Sequence, residues 1–267
     1  MIITIAVACA ALIVGLVAHW FTRGRIEATG TEPLTVRDFI APLQTLTIFV
    51  LAFVLVTAST SNGNADEAVR QEAGVVDHMF EAADFAPPAQ RQRLQADVVC
   101  YLRAVRSEEW PAMADGRSST APSAWSTDFR VALQGMSDAP ALGMLVSADK
   151  DRSQARQTRL AEATPAIPNP VYYLMLAALA ILIVTLALCL PRRNTVLISA
   201  GLVVLTGLLT GVMLVIRDVE RPFSGVIQIQ PSAITAVEHD VTEDFIAAYG
   251  KNRLPCDEQG RPKRIAA

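Results

Sequence analysis

The sequence predicts an all-α membrane protein in which four transmembrane helices carry a helical soluble insert between the second and third spans. Of its 267 residues, 52% are hydrophobic and 18% are charged, whereas about 25% of a typical soluble domain is charged. The apolar residues concentrate in four runs of about 20 residues without internal Asp, Glu, Lys or Arg, which is the length a helix needs to cross a bilayer. The runs are 1–21, 39–58, 171–190 and 195–216.

These runs divide the chain into four segments. Residues 1–58 and 171–216 are predicted to form transmembrane hairpins, and residues 59–170 a soluble helical domain. Residues 217–267 are predicted to be a C-terminal extramembrane segment with a disordered end, because the tail is polar and contains Gly and Pro. Within it, 226–230 alternates as a short strand or an extended arm would, and a helix is expected from Ser232 to Tyr249.

Helical periodicity in the insert is the third observation behind the all-α prediction. After a polar turn at 59–63, Val69, Val76 and Phe80 recur at helical spacing with charged residues between them. Proline marks the later boundaries, since it suits the first turn of a helix and disrupts its interior. We expect four helices: from Ala65 to Pro87–Pro88, from Pro88 to Trp110–Pro111, from Ser123 onward, and from Asp138 to Ala163.

The second span differs from the others in its polar residues. Gln44 and Thr57 interrupt the apolar run, and Phe49 and Phe53 stand four residues apart on one helix face. Such a helix can line an oligomeric pore, where phenyl rings form a dewetting constriction. Equally, the threonine hydroxyls can bond to their own helix while the rings pack against neighbours. In the fourth span, Gly207 and Gly211 form a motif that favours close helix packing.

The sequence contains no pattern that predicts catalysis, a cofactor, a metal site or nucleic-acid binding. The formal net charge is −3, and no phosphate-binding glycine loop or nucleophile motif is present. The acidic run from Glu238 to Asp244 lacks the ligand spacing of a calcium loop and is interpreted as a solvated helix face. Glu108 and Glu109 are interpreted as exposed residues at a helix end. The spans also lack the intramembrane charges of proton pumps.

The four cysteines fall into two pairs. Cys9 and Cys189 lie in apolar runs, where cysteine behaves as a small hydrophobic residue. Cys100 and Cys256 are separated by two spans, so both are expected on one side of the membrane. They can pair if that side is oxidising.

Three stretches carry a family resemblance: 51–58 (LAFVLVTA), 108–113 (EEWPAM) and 220–225 (ERPFSG). Together with the arrangement of two spans, an insert and two further spans, they resemble the bestrophin-like family of bacterial and plant membrane proteins, over about residues 40 to 235. The motif residues are Glu109, Trp110, Pro111, Arg221, Pro222, Phe223, Ser224 and Gly225.

The resemblance has functional implications, because bestrophins, to which this family is distantly similar, are pentameric anion channels. It implies a homo-oligomer in the lipid bilayer, a pentamer if channel-like, that is permeable to chloride or other small anions. Phe49, Phe53 and Thr57 would then lie at the pore neck. The acidic calcium clasp of bestrophins is absent after Phe223. The alternative is a non-conducting membrane interaction protein whose helical insert binds a partner.

The orientation in the membrane is predicted from basic residues in the two short loops. Arg23, Arg25, Arg37, Arg192 and Arg193 favour a cytoplasmic position for those loops, which places the insert outside. The bestrophin plan has the opposite orientation, and six basic residues flank the spans on the other side: Lys150, Arg152, Arg156, Arg159, Arg217 and Arg221. Abundant Ala and Arg with little Lys indicate a bacterial source, so we expect a multi-pass protein of the bacterial inner membrane.

Overall fold

The computed structural model describes residues 1–22, 36–136, 141–189 and 195–263. Among these residues the fold is all-α, as predicted, and four helices are long and apolar enough to cross a membrane. The helices are α1 (Ile2–Thr22), α2 (Val36–Ala82), α3 (Pro88–Ala104), α4 (Trp110–Ala114), α5 (Ala121–Gln134), α6 (Ala141–Glu162), α7 (Asn169–Leu188), α8 (Thr195–Val219) and α9 (Ser232–Tyr249).

The chain forms two compact units. The first comprises Met1–Thr60 and Pro165–Glu220, and the second comprises Ser61–Thr164 and Arg221–Ala267. The C-terminal segment therefore folds together with the insert rather than by itself. The predicted boundaries at residues 58, 170 and 216 stay predictions of where the chain enters and leaves the bilayer.

The first unit consists of α1, α7, α8 and the first part of α2. Its core is apolar and includes Leu51, Met175 and Met213. α1 and α7 pack closely at Gly15, where an added Cβ would lie 2.6 Å from the Cβ of Ala187. That close approach explains a glycine in the middle of a transmembrane helix, since small residues let two backbones come together.

α2 is one uninterrupted helix of 47 residues, about 70 Å long at 1.5 Å per residue. The prediction of a polar turn at 59–63 is therefore wrong. Ser, Asn and Gly have low helix propensity, but Ala58, Ala65 and Val69 on either side of this stretch are fully buried at helical spacing. Burial of that face outweighs the local preference for a turn.

The second unit packs α3, α4, α5, α6, α9 and the last part of α2 around one core. The break at Pro87–Pro88 is found, and α5 and α6 match the predicted third and fourth helices. Asp138 and Pro140, the predicted start of the fourth helix, lie outside the described residues. Pro111 does not end the second helix: a π-helical turn, Val105–Glu109, leads directly into α4, where Pro111 occupies the first turn.

The C-terminal end is folded through Lys263, which contradicts the prediction of disorder for that part. α9 ends at Tyr249, followed by Gly250 with φ +86°. Residues 226–230 form no strand: Val226 and Ile227 lie in bends, and the Ile229 amide donates back to the Pro222 carbonyl at 2.7 Å. Beyond α9, Cys256 forms a disulfide with Cys100, and their Cα atoms are 5.8 Å apart. This bond answers the pairing question that the sequence left open.

Candidate functional site

The exposed face of α2 in the first unit is a stripe of large apolar side chains, Leu46, Phe49, Phe53 and Val56, called here the α2 stripe. These residues are 61%, 70%, 74% and 63% exposed, respectively. Their spacing of three and four residues places them on one side of the helix. Thr47, Leu51 and Val54 on the opposite side are buried. The phenyl rings therefore do not pack into the core of this chain.

Two threonine hydroxyls of the second span bond within their own helix, whereas the phenyl rings are exposed. The hydroxyl of Thr57 donates to the carbonyl of Phe53 at 3.0 Å, and that of Thr47 donates to Leu43 at 2.8 Å. Gln44 is half-buried, and Thr57 is exposed. Both threonine hydroxyls therefore bond to carbonyls of their own helix, which is what one of the two interpretations of the second span proposed. The phenyl rings remain free to meet lipid, water or another subunit.

Gly207 and Gly211 on α8 have no neighbouring atom within 4 Å of a built Cβ in the described part of the chain. Close packing at this motif therefore does not occur inside the described chain. Helix packing at Gly207 and Gly211 stays a prediction.

A buried charge cluster stands inside the second unit, and the sequence did not predict it. Arg159, fully buried, forms ion pairs with Glu72 of α2 and with Glu109, the latter at 2.5 Å. Arg156 binds Glu109 at 2.5 Å, and the hydroxyl of Tyr101 donates to Glu72 at 2.6 Å. We call Glu72, Tyr101, Glu109, Arg156 and Arg159 the buried charge cluster. Every carboxylate in it faces a guanidinium, as buried charges require.

The buried charge cluster shifts the pKa of its acidic members in opposite directions. Burial disfavours the charged form of Glu109, but hydrogen bonds and charge from Arg156 and Arg159 outweigh it, so its pKa is lowered. Burial and the adjacent carboxylate of Glu72 raise the pKa of Tyr101. Glu109 is therefore a carboxylate at neutral pH, held as an internal anion.

Glu108 and Glu109 do not share one environment, which corrects the interpretation that both are exposed. The side chain of Glu109 is 0% exposed, whereas that of Glu108 is 31% exposed and binds Arg261 at 2.7 Å. The acidic run 238–244 lies within α9 and is not solvated throughout, contrary to its interpretation. Glu238 is buried and binds Arg106 at 2.5 Å, while its neighbour His239 is exposed. Among the described residues no His, Cys, Asp and Glu group has the geometry for a metal ion.

Two of the three stretches behind the family resemblance, 108–113 and 220–225, contact each other in the folded chain. The rings of Trp110 and Phe223 are perpendicular, with centroids 5.1 Å apart, and both are buried. The guanidinium of Arg159 lies 5.9 Å from the centre of the Trp110 ring. Pro222 accepts a hydrogen bond from the Ile229 amide at 2.7 Å, and Gly225 has φ +101°. Pro111 and Arg221 are exposed, and Ser224 is half-buried. This geometry indicates structural roles for the motif residues.

Four helices long and apolar enough to cross a membrane, together with a second helical unit, define the chain as a multi-pass helical membrane protein. A family model described as the bestrophin-like domain matches residues 4–234. This chain belongs to the bestrophin-like family.

Solved structures of low sequence identity have the same fold. A bacterial bestrophin homologue from Klebsiella pneumoniae is similar with a TM-score of 0.70 and 10% identity, covering 91% of this chain and 98% of that one. A point mutant of a Klebsiella pneumoniae homologue gives 0.68 and 12%, covering 90% and 99%. A structure described as a membrane protein gives 0.71 and 11%, covering 92% and 99%. No curated protein matches the chain.

Proposed function

We propose that this protein assembles in the bacterial inner membrane as a homo-oligomer, a pentamer by analogy with bestrophins, whose α2 helices line an anion-permeable pore. Phe49 and Phe53 form its constriction, and Thr57, four residues after Phe53, lies beside it on the same face. Gln44 lies on the face of the buried Thr47 and Leu51, away from the constriction. The α2 stripe is the observation that carries the proposal. Membership of the bestrophin-like family supports it.

The physical argument concerns what the α2 stripe meets. In one isolated chain its rings are exposed, so they meet lipid, water or another copy of the chain. Around a central axis, rings from several copies would narrow the pore to an apolar neck. Water leaves such a neck readily, and the dewetted neck is a barrier to ions. The edge of a phenyl ring carries partial positive charge, which suits a partly dehydrated anion better than a cation.

Halide flux into liposomes containing the purified full chain tests the proposal. We expect flux from the unmodified protein and a larger flux from Phe53→Ala, because truncation widens and wets the neck. Phe21→Ala is the matched control: Phe21 is an exposed phenylalanine of α1 in the same unit, so its truncation should leave flux unchanged.

Selectivity is measured in planar bilayers across a KCl gradient, where the sign of the reversal potential separates anions from cations. Absence of flux from both the unmodified protein and Phe53→Ala would overturn the pore, particularly if the protein is a monomer or dimer in nanodiscs. Equal increases from Phe53→Ala and Phe21→Ala would contradict the assigned position of the neck. A cation-selective current would overturn the anion assignment and leave the pore in place.

A further inference from the structure

Residues 254–263 form a short hairpin, called here the C-terminal hairpin, that is closed on itself. Cys256 and Pro262 form an antiparallel bridge, and the Asp257 amide donates to the Arg261 carbonyl at 2.9 Å. The amide of Lys263 donates to the Pro255 carbonyl at 2.8 Å. These hydrogen bonds give the hairpin a defined shape, so a complementary surface of the second unit can bind it.

Four consecutive carbonyls of the C-terminal hairpin are bound by side chains of the second unit. Arg103 donates to Asp257 at 3.1 Å, and Arg106 donates to Glu258 at 3.2 Å. Ser107 donates to the Gln259 carbonyl at 2.5 Å. Trp125 donates to Gly260 at 2.7 Å. Gly260 is buried and Asp257 is half-buried, so an unbound carbonyl there would be costly, whereas Glu258 and Gln259 are exposed. Four donors matched to four consecutive carbonyls indicate a built docking site.

Gly260 of the C-terminal hairpin lies close against the backbone of α3. Its φ is +73°, and an added Cβ would lie 2.4 Å from the backbone nitrogen of Ala104. Only glycine fits both the backbone conformation and the space. Next to this contact, Cys100 and Cys256 are fully buried and joined by the disulfide. The hairpin is thus held by a covalent bond at one end and by a hydrogen-bonded surface along its length.

The disulfide also bears on the compartment in which the second unit lies. Structural disulfides persist in oxidising compartments and are rare in the cytosol. Both parts of the second unit lie on one side, because two spans separate them along the chain. The arginines of the two short loops independently favour a cytoplasmic position for those loops. Of the basic residues that oppose this orientation, Arg152 and Arg159 are buried in ion pairs of the second unit.

We propose that the second unit lies on the extracytoplasmic side of the membrane and that the Cys100–Cys256 disulfide locks the C-terminal hairpin there as a redox-sensitive clasp. Locking joins two thiols with loss of two protons and two electrons. A disulfide of a thiol oxidoreductase in that compartment accepts them and becomes a dithiol. A soluble dithiol reverses the exchange and releases the hairpin from its donors. The inference does not depend on the proposed pore.

The redox state is tested on the full chain carrying Cys9→Ser and Cys189→Ser. Cells are quenched in acid, and thiols are alkylated under denaturing conditions. We expect no alkylation of Cys100 or Cys256 until a reductant is added. Alkylation of both thiols without reductant would overturn the clasp.

Sidedness is tested with a membrane-impermeant maleimide on intact spheroplasts, again in the background lacking Cys9 and Cys189. Glu81→Cys, at an exposed position of α2 in the second unit, should react in intact spheroplasts. Arg192→Cys, at a position between α7 and α8 along the chain, should react only after permeabilisation. The reversed pattern would overturn the extracytoplasmic placement.

Docking of the hairpin is tested by the rate at which dithiothreitol reduces the disulfide. Gly260→Ala should raise this rate at least about tenfold over Gly116→Ala. Gly116 has a comparable φ of +70° but no atom within 4 Å of a built Cβ, so it controls for backbone strain alone. Trp125→Phe removes one donor without a clash and should raise the rate several-fold. Equal rates in all these variants and the unmodified protein would refute docking.

Discussion

Glu109→Gln removes one charge from the buried charge cluster while keeping the shape of the side chain. In the native chain Glu109 is fully buried and binds both Arg156 and Arg159 at 2.5 Å. The substitution leaves Arg159 with Glu72 alone and leaves Arg156 without a carboxylate. Breaking a buried ion pair by removing one partner costs about 3–5 kcal/mol, because the remaining charge stays desolvated.

Glu108→Gln is the matched control at the adjacent position. Its side chain is 31% exposed, and its partner Arg261 is 66% exposed. Exposed pairs contribute about 0–1 kcal/mol, so this variant should be nearly neutral. The two variants carry the same Glu→Gln change at adjacent positions, so a difference in their stability reports the effect of burial.

The assay is thermal unfolding of the full chain in detergent, followed by tryptophan fluorescence in a Trp20→Phe background. Only Trp110 and Trp125 then report, and both lie in the second unit. We expect Glu109→Gln to lower the transition by about 10 °C, since a domain of this size loses about 2–4 °C per kcal/mol. Similar transitions for Glu109→Gln and Glu108→Gln would refute the assignment of the buried charge cluster as a structural centre.

The pH dependence of the same transition gives a second check. The pKa of Glu109 is lower in the folded chain than its ordinary 4.5, so the unfolded chain binds the proton more readily. The stability that Glu109 contributes is complete above pH 4.5 and is lost as pH falls below it toward the folded pKa. Glu109→Gln should lack this acid-dependent loss, whereas Glu108→Gln should keep it.

Two further predictions concern the second unit. Burial, and secondarily the charge of Asp128, raises the pKa of Asp97 from 3.8 to about 8 against the opposing effect of Arg93. Folding therefore takes up a proton, and stability should fall as pH rises from about 4 to about 8, by at most about 5 kcal/mol. Asp97→Asn should flatten this slope in denaturant titrations, and an unchanged slope would contradict the shift. Trp110→Ala and Phe223→Ala should show a coupling of about 0.5–1.5 kcal/mol in a double-mutant cycle, and strict additivity would contradict their ring contact.

The four spans were predictable because the bilayer imposes a length and a composition on each one. Every apolar run of about 20 residues forms a helix, since a helix satisfies all of its backbone hydrogen bonds within one segment in lipid. The start of α3 was predictable because Pro88 suits the first turn of a helix, which is also a local effect. The continuation of α2 through 59–63 was missed because local propensity favoured a turn, while burial of Ala58 and Ala65 favoured a helix.

The buried charge cluster was missed because its partners are distant in sequence. Glu72 and Arg159 are separated by 87 positions, and Glu109 and Arg159 by 50. One local signal was present: Glu72 stands on the apolar stripe of α2 between Val69 and Val76, where a carboxylate needs a buried partner. For the C-terminal hairpin the sequence offered only Cys256, a possible partner of Cys100. The donors that bind the hairpin lie on α3, on the π-helical turn Val105–Glu109 and on α5, so they are far from it in sequence.

Thiol modification at the α2 stripe tests the central claim, that α2 lines an ion-permeable pore, most directly. Phe53→Cys is compared with Ile48→Cys, an exposed position of α2 outside the stripe, both in the Cys9→Ser and Cys189→Ser background. A water-soluble charged methanethiosulfonate is applied during planar-bilayer recording. We predict that it changes the current of Phe53→Cys irreversibly and leaves that of Ile48→Cys unaltered. An unchanged current in Phe53→Cys, or the same change in both variants, would contradict a pore along this face.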